Sequence, residues 1–223
     1  MPFRLVDVLK DVFLGFLSPF RCAACDVPFS FTGLFCSGCD EAVSPLVDRV
    51  ESEFPLVAAG PYGGSVARAI TRFKYGSRPD LAPLLSERLV EALRLSAFAG
   101  PATVVPVPQH PQKLAARGYN QSALLAAHLA QRTGLRFRPR ALRRIRSTRE
   151  QASLSREERL VNVVAAVAAR ESLAGEHVVL VDDVVTTGAT AVSCARALVG
   201  TGAARVTIAA VARTVDLGAP PAR

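Results

Sequence analysis

The thirteen residues Val178–Thr190, VVLVDDVVTTGAT, carry the densest chemistry in the chain. An apolar run ends in two adjacent carboxylates, Asp182 and Asp183. A turn of Thr186, Thr187, Gly188, Ala189 and Thr190 follows. Carboxylates at the C-terminal end of a buried strand can accept hydrogen bonds from vicinal hydroxyls or hold Mg²⁺ through water. Glycine allows positive φ and close backbone approach. Successive N–H groups at a helix N-terminus, with threonine hydroxyls beside them, bind a phosphate dianion. Acidic pair, hydroxyl-rich turn and helix together describe a site for a ribose 5-phosphate. The segment has neither the G-K-[ST] of a Walker loop nor G-x-G-x-x-G. Ordinary N-capping would explain one threonine and one aspartate, but not DD and TTGAT together.

A second constellation lies near the N-terminus. Cys22-x-x-Cys25 and Cys36-x-x-Cys39 are separated by ten residues. Each pair can chelate one ion from a tight turn, and four thiolates complete a closed tetrahedral site that suits structural zinc. Residues 20–45 hold too little apolar bulk to fold without such a cross-link. The fifth cysteine, Cys194, shares an apolar helical stripe with Ala191, Ala195 and Leu198 and reads as a core thiol.

Further short motifs stand in a fixed order around these two. They are RFKYG (Arg72–Gly76), VPVP ending at Pro108, RGYNQ (Arg117–Gln121), and the spaced Arg146, Thr148, Gln151, Leu154, Arg159 and Asn162. With the double C-x-x-C and VLVDDVVTTGAT they resemble the ComF family, competence-associated proteins in which a zinc ribbon is fused to a type I phosphoribosyltransferase domain. The resemblance runs from about residue 20 to 213. Tyr119 stands where the family usually has Phe, which keeps the ring and adds a hydroxyl.

The resemblance implies roles by position. Asp182 and Asp183 would face the ribose hydroxyls, and Thr186 to Thr190 would hold the 5-phosphate of phosphoribosyl pyrophosphate, with Mg²⁺ beside it. The loop after strand 102–107, through Arg117, would receive the pyrophosphate. Arg146–Gln151 would match a mobile loop that closes over the ligand. Lys74, Arg117, Arg146 and Arg149 are candidates to stabilise a pyrophosphate leaving group. No acceptor pocket is identifiable, so a binding-only site and an active transferase both stay open. The family's link to natural transformation also implies single-stranded DNA as a partner. Arg136, Arg138, Arg140, Arg143, Arg144, Arg146 and Arg149 supply phosphate contacts, with Phe137 and Ile145 interleaved. A solvated basic loop is the plainer alternative. A third reading is an adaptor for a competence helicase or DNA-processing protein, using the ribbon and an N-terminal helix.

These groups need a scaffold. Alternating strands and helices predict a largely parallel α/β sheet of phosphoribosyltransferase type, with the ribbon as a small N-terminal unit. Strands are expected at 54–60, 102–107, 177–182 and 204–212. Helices are expected at 64–73, 80–95, 189–200 and from an Asn120 N-cap to Arg132. Residues 3–17 read as an amphipathic helix that packs on its own domain. Residues 136–162 begin as a loop or short hairpin, with a Ser155–Glu158 capping box further on. Domain limits are expected at 1–48 and 49–223. No apolar run reaches the roughly 20 residues of a membrane span and no signal peptide is apparent, so the cytoplasm is the expected location. The net charge of +8 falls to about +6 once four thiolates hold one Zn²⁺. A basic excess of this size suits a polyanionic partner without requiring one. The clustered cysteines, without a secretory signal, exclude a disulfide framework.

Overall fold

The computed structural model describes residues 20–29, 33–39, 53–96, 98–144 and 167–215. The domain is a five-stranded sheet, all parallel, in the order β3-β9-β8-β4-β5. The strands are β3 (Leu56–Ala58), β4 (Thr103–Pro106), β5 (Arg136–Phe137), β8 (His177–Val185) and β9 (Arg205–Arg213). Two short strands, β1 (Phe20–Arg21) and β2 (Pro28–Phe29), pair antiparallel beside the cysteines. Another antiparallel pair joins β6 (Leu142–Arg144) to β7 (Val167–Ala169).

Strand periodicity splits the core into two layers. Val179 and Val181 of β8 join one apolar cluster, whereas Val178 and Leu180 join the other. The first layer is covered by α1 (Gly64–Tyr75), α2 (Ala82–Leu95) and α4 (Gln121–Thr133). Their buried stripes follow helical spacing, as in Val66, Ala69, Ile70 and Phe73 of α1. The second layer is covered by α5 (Ala189–Val199), through Ala191, Cys194, Ala195 and Leu198. Cys194 is therefore a core thiol, and its burial pushes it up to about 12.

Every expected strand and helix within the described residues is present, with ends shifted by a few residues. Two features differ. The proline-rich stretch after β4 continues into a two-turn helix, α3 (Pro111–Arg117). His110 caps it by accepting from the Gln112 N–H at 3.3 Å, and Gly118 ends it at φ 79°. None of its residues is buried, so no apolar period announced it. Arg136–Phe137 is not loop but an edge strand beside β4. The helix at 3–17, the domain limit at 48/49, Arg146, Arg149 and the capping box lie outside the described residues.

The cysteine segment shares the domain's core. Cys22, Ala23, Leu34, Phe35 and Cys39 belong to the same apolar cluster as Leu85 and Leu89 of α2. The Arg88 guanidinium also lies 5.4 Å from the centre of the Phe35 ring. Among the described residues, no helix is long and apolar enough to cross a membrane.

Candidate ribose-phosphate cleft and cysteine centre

The connection leaving β4 runs through α3 and α4 to β5 on one side, whereas that leaving β8 runs through α5 to β9 on the other. Adjacent parallel strands whose crossovers diverge leave a crevice at their C-terminal ends. There the structure has a cleft of about 250 Å³. Its walls are Val107–His110 after β4, residues 182–191 at the end of β8 and beyond it, and Lys74, Tyr75, Lys113, Arg117, Asn120, Gln121, Ser122 and Arg144. Asp182, Asp183, Thr186–Thr190, Lys74 and Arg117, all singled out in the sequence, thus meet in one place.

The two aspartates have different partners. Asp183 is buried and its Oδ1 lies 2.9 Å from Lys74 Nζ. Asp182 Oδ1 accepts from Ser122 Oγ and from the Asp183 N–H, both at 2.9 Å. Burial, then the adjacent Asp183 charge, pushes the Asp182 carboxyl up to about 7, against the opposing pull of Ser122, the Asp183 N–H and Lys74. Asp183 is thus paired with a cation, whereas Asp182 is a carboxyl that is easily protonated. A polyhydroxyl ligand or a cation entering here meets an acceptor pair already oriented by the fold.

Beyond the aspartates the chain turns sharply into α5. Gly188 sits at φ 75°, ψ −8°, immediately before the helix. Space does not demand glycine, since a Cβ would meet nothing closer than 3.8 Å; the left-handed backbone does. The first N–H groups of α5 have no partner within the helix, which leaves donors and the positive end of its dipole at the cleft. Thr186 and Thr187 are exposed beside them.

Two of the short motifs interlock to form the opposite wall. Arg117, at the end of α3, donates to Gln121 Oε1 at 3.2 Å and lies 4.6 Å from the Tyr75 ring centre. Gln109, with its amide turned to suit its neighbours, accepts from the same guanidinium at 3.0 Å. Asn120 caps α4 by accepting from the Ser122 N–H and donates to the Val107 carbonyl, both at 3.1 Å, which ties α4 to the end of β4. The Tyr119 hydroxyl donates to the Phe73 carbonyl. That carbonyl belongs to the last turn of α1, where helical carbonyls lack partners. The hydroxyl that distinguishes Tyr119 from Phe therefore caps α1. Tyr119→Phe is expected to lower unfolding free energy by about 1 kcal/mol, measurable by urea denaturation. An unchanged midpoint would remove the capping role.

The four cysteine sulfurs all lie within 4.8 Å of one another, so they can hold one metal ion such as zinc. Cys25 Sγ and Cys36 Sγ are 3.7 Å apart. A tetrahedral ion with metal–sulfur bonds near 2.3 Å needs sulfurs about 3.8 Å apart, so the donor set fits. Burial raises both the Cys22 and the Cys36 thiol. At Cys22 the N–H groups of Cys36, Cys25 and Ala24 outweigh it and bring the thiol down to about 6. At Cys36 neighbouring thiols add to burial and push it up to about 11.

Comparison with known proteins agrees with this architecture. A family model described as Phosphoribosyl transferase domain matches residues 120–221. The chain is 31% identical over 198 residues to "DNA utilization protein YhgH" of Escherichia coli O6:H1, covering 87% of this chain and 84% of that protein. It is 28% identical over 200 residues to "Competence protein F" of Haemophilus influenzae, covering 77% and 87%. The chain belongs to the ComF family. Among solved structures, a glutamine phosphoribosylpyrophosphate amidotransferase from B. subtilis aligns at 23% identity and a TM-score of 0.43, over 62% of the ComF chain and 30% of that protein.

The arginines of this ComF protein divide by location. Arg144 is half-buried and lines the cleft rather than standing with an outer basic surface. Arg138 pairs with Glu171 at 3.6 Å and Arg136 with Glu176 at 3.2 Å. Arg140 and Arg143 are exposed. Phe137 is half-buried and packs against the first core layer, so its ring is not displayed for stacking. Sequence reasoning missed Ser122 as a partner of Asp182. A serine in the first turn of a helix carries no signal of a contact 60 residues away.

Proposed function

We propose that the cleft binds the ribose 5-phosphate moiety of a ligand such as phosphoribosyl pyrophosphate, and that the protein serves the handling of DNA in natural transformation. The observation that carries the first part is the convergence of Asp182, Asp183, Lys74, Arg117 and the Gly188 loop on one crevice at the β4/β8 switch point. In this reading the loop and the α5 N-terminus take the phosphate, and the acidic pair takes the ribose hydroxyls. Asp182 and Asp183 would also hold Mg²⁺, which when bound neutralises pyrophosphate charge. Arg117, fixed by Gln121 and Gln109, faces the leaving-group side, and Lys74 pairs with Asp183. The four cysteines hold structural zinc, since all four positions are thiols and none is open to a substrate.

The second part is supported by the names of the relatives, one a DNA utilization protein and one a competence protein. The exposed Arg140 and Arg143 are the surface groups for phosphates of a single strand, and the same surface could serve a competence helicase or DNA-processing protein.

Calorimetric titration tests both parts. Phosphoribosyl pyrophosphate with Mg²⁺ is expected to bind the wild type, and inorganic phosphate to bind more weakly at the same site. Equal affinity for the two would remove ribose recognition. Single-stranded DNA should bind with an affinity that falls with salt. Changing Arg140 and Arg143 to Ala should reduce the logarithmic salt slope by about 1.4, at roughly 0.7 per phosphate contact. A salt-independent affinity would exclude phosphate contacts. Release of pyrophosphate on adding bases or amines would add transferase activity to the binding function, as the cationic Lys74 and Arg117 favour. An unconsumed ligand across the panel would leave a binding site.

A further inference from the structure

Asp26 lies between Cys25 and Val27 in the first cysteine turn, yet its contacts point at the domain. Its backbone is left-handed, at φ 66°, and its N–H donates to the Cys22 carbonyl at 2.9 Å. Its carboxylate lies 3.1 Å from Arg72 Nη1 and 2.7 Å from Arg78 Nη1, with Arg21 Nη1 at 3.6 Å. Arg78 is further held by both oxygens of Asp80, at 2.9 and 3.0 Å from its Nε. Arg72 and Arg78 are the two ends of a seven-residue stretch at the end of α1. Two residues between them line the cleft: Lys74 pairs with Asp183, and Tyr75 lies against Arg117. The stretch is pinned at both ends by the metal-binding turn and touches the ligand site in its middle.

We infer that Asp26 is a positioning residue of the cleft: it couples the metal-holding turn to the Lys74–Asp183 pair, so that metal loading and ligand affinity are linked. This rests on the cleft being the ribose-phosphate site. The geometry of Asp26 depends on its own turn, because a side chain one residue from Cys25 moves when that turn loses its ion. The ion pairs of Asp26 then lose their alignment, and residues 72–78 lose two fixed ends. Lys74 is the group most affected, since its ammonium must reach a buried carboxylate. Linkage is reciprocal, so a ligand that needs Lys74 in place also strengthens metal retention.

Asp26→Asn keeps the shape of the side chain and removes its charge. Zinc-loaded Asp26→Asn protein, with metal content confirmed, is expected to bind phosphoribosyl pyrophosphate and Mg²⁺ at least about fivefold more weakly than wild type. Arg78→Gln should reproduce the loss. Glu53→Gln breaks a more exposed pair with Arg196, at 2.6 Å and outside the cleft lining, and should leave affinity unchanged. In the wild type, saturating ligand should slow zinc transfer to a chelator, and in the Asn variant it should not. A purely structural role for Asp26 would leave that linkage intact. Hydrogen exchange supplies a readout that needs no ligand: zinc removal and Asp26→Asn should each speed exchange at 73–76 and at 182–184. Unchanged exchange at 182–184 overturns the inference even if no ligand binds. Failure of the wild type to bind any ligand overturns the ribose-phosphate reading instead. Equal affinity of the wild type and the Asn variant, with slowed zinc release in both, also overturns the inference.

Discussion

Replacing Cys36 by Ser is expected to lower the Tm by roughly 10 °C, because about 3–4 kcal/mol are lost and each kcal/mol moves a chain of this size by about 2–4 °C. The loss has two sources. One is the metal itself: three thiolates bind zinc far more weakly than four, and structural zinc contributes folding energy outright. The other is shared core. Cys22, Ala23, Leu34, Phe35 and Cys39 are buried in the same cluster as the helices covering the sheet. A loosened turn therefore exposes Leu85 and Leu89 as well as its own residues. A strong chelator should give a similar shift in the wild type and little further shift in Cys36→Ser. Coincident melting curves for all four samples would show that the cysteines hold no structural metal.

The second large effect concerns Asp182. Its carboxyl is pushed up to about 7 in the fold by burial and by Asp183, against about 3.9 in an unfolded chain. Between those values the folded state holds a proton that the unfolded state has released. Stability linked to this group is thus fully present below about pH 4 and falls as pH rises to about 7. The total is a few kcal/mol, on the order set by 1.4 kcal/mol per pH unit. Asp182→Asn removes the titration but keeps the acceptor, because Ser122 and the Asp183 N–H both bind Oδ1. The variant should match wild type near pH 4 and melt roughly 5–10 °C higher at pH 8. It should also lose affinity for a ribose-phosphate ligand, as expected where a functional group is held at a cost to the fold. Parallel Tm curves for variant and wild type from pH 4 to 8 would show that Asp182 ionises normally.

How far these features were legible in the sequence depended on the range of the interactions that form them. The β8–Gly188–α5 unit could be read because its signals are local: an apolar run ending in two aspartates, then a threonine-glycine turn, then a helix. The paired cysteine turns were legible for the same reason, through the spacing of Cys22, Cys25, Cys36 and Cys39. Asn120 announced its helix by type and place, and the structure shows its cap bond. The helix α3 was hidden because it buries nothing and so has no apolar period. Phe137 looked available in a basic run, yet its strand inserts beside β4 and turns the ring inward. The partners of Asp183 and Asp26 could not be inferred. Lys74 reaches Asp183 across 109 positions, and Arg78 reaches Asp26 across 52, distances that only the folded topology closes. Lys74 was recognisable as a cation for the site, but its fixed carboxylate partner was not.

If residues 182–190 form a ribose 5-phosphate site, that ligand must contact them directly. Amide chemical-shift mapping with ribose 5-phosphate and Mg²⁺ tests it most directly. Saturable shifts are expected, concentrated at Asp182, Asp183 and Thr186–Thr190, with smaller ones at Lys74 and Arg117, and their loss in Asp183→Asn. Shifts confined to other surfaces, or none at millimolar ligand, would contradict it.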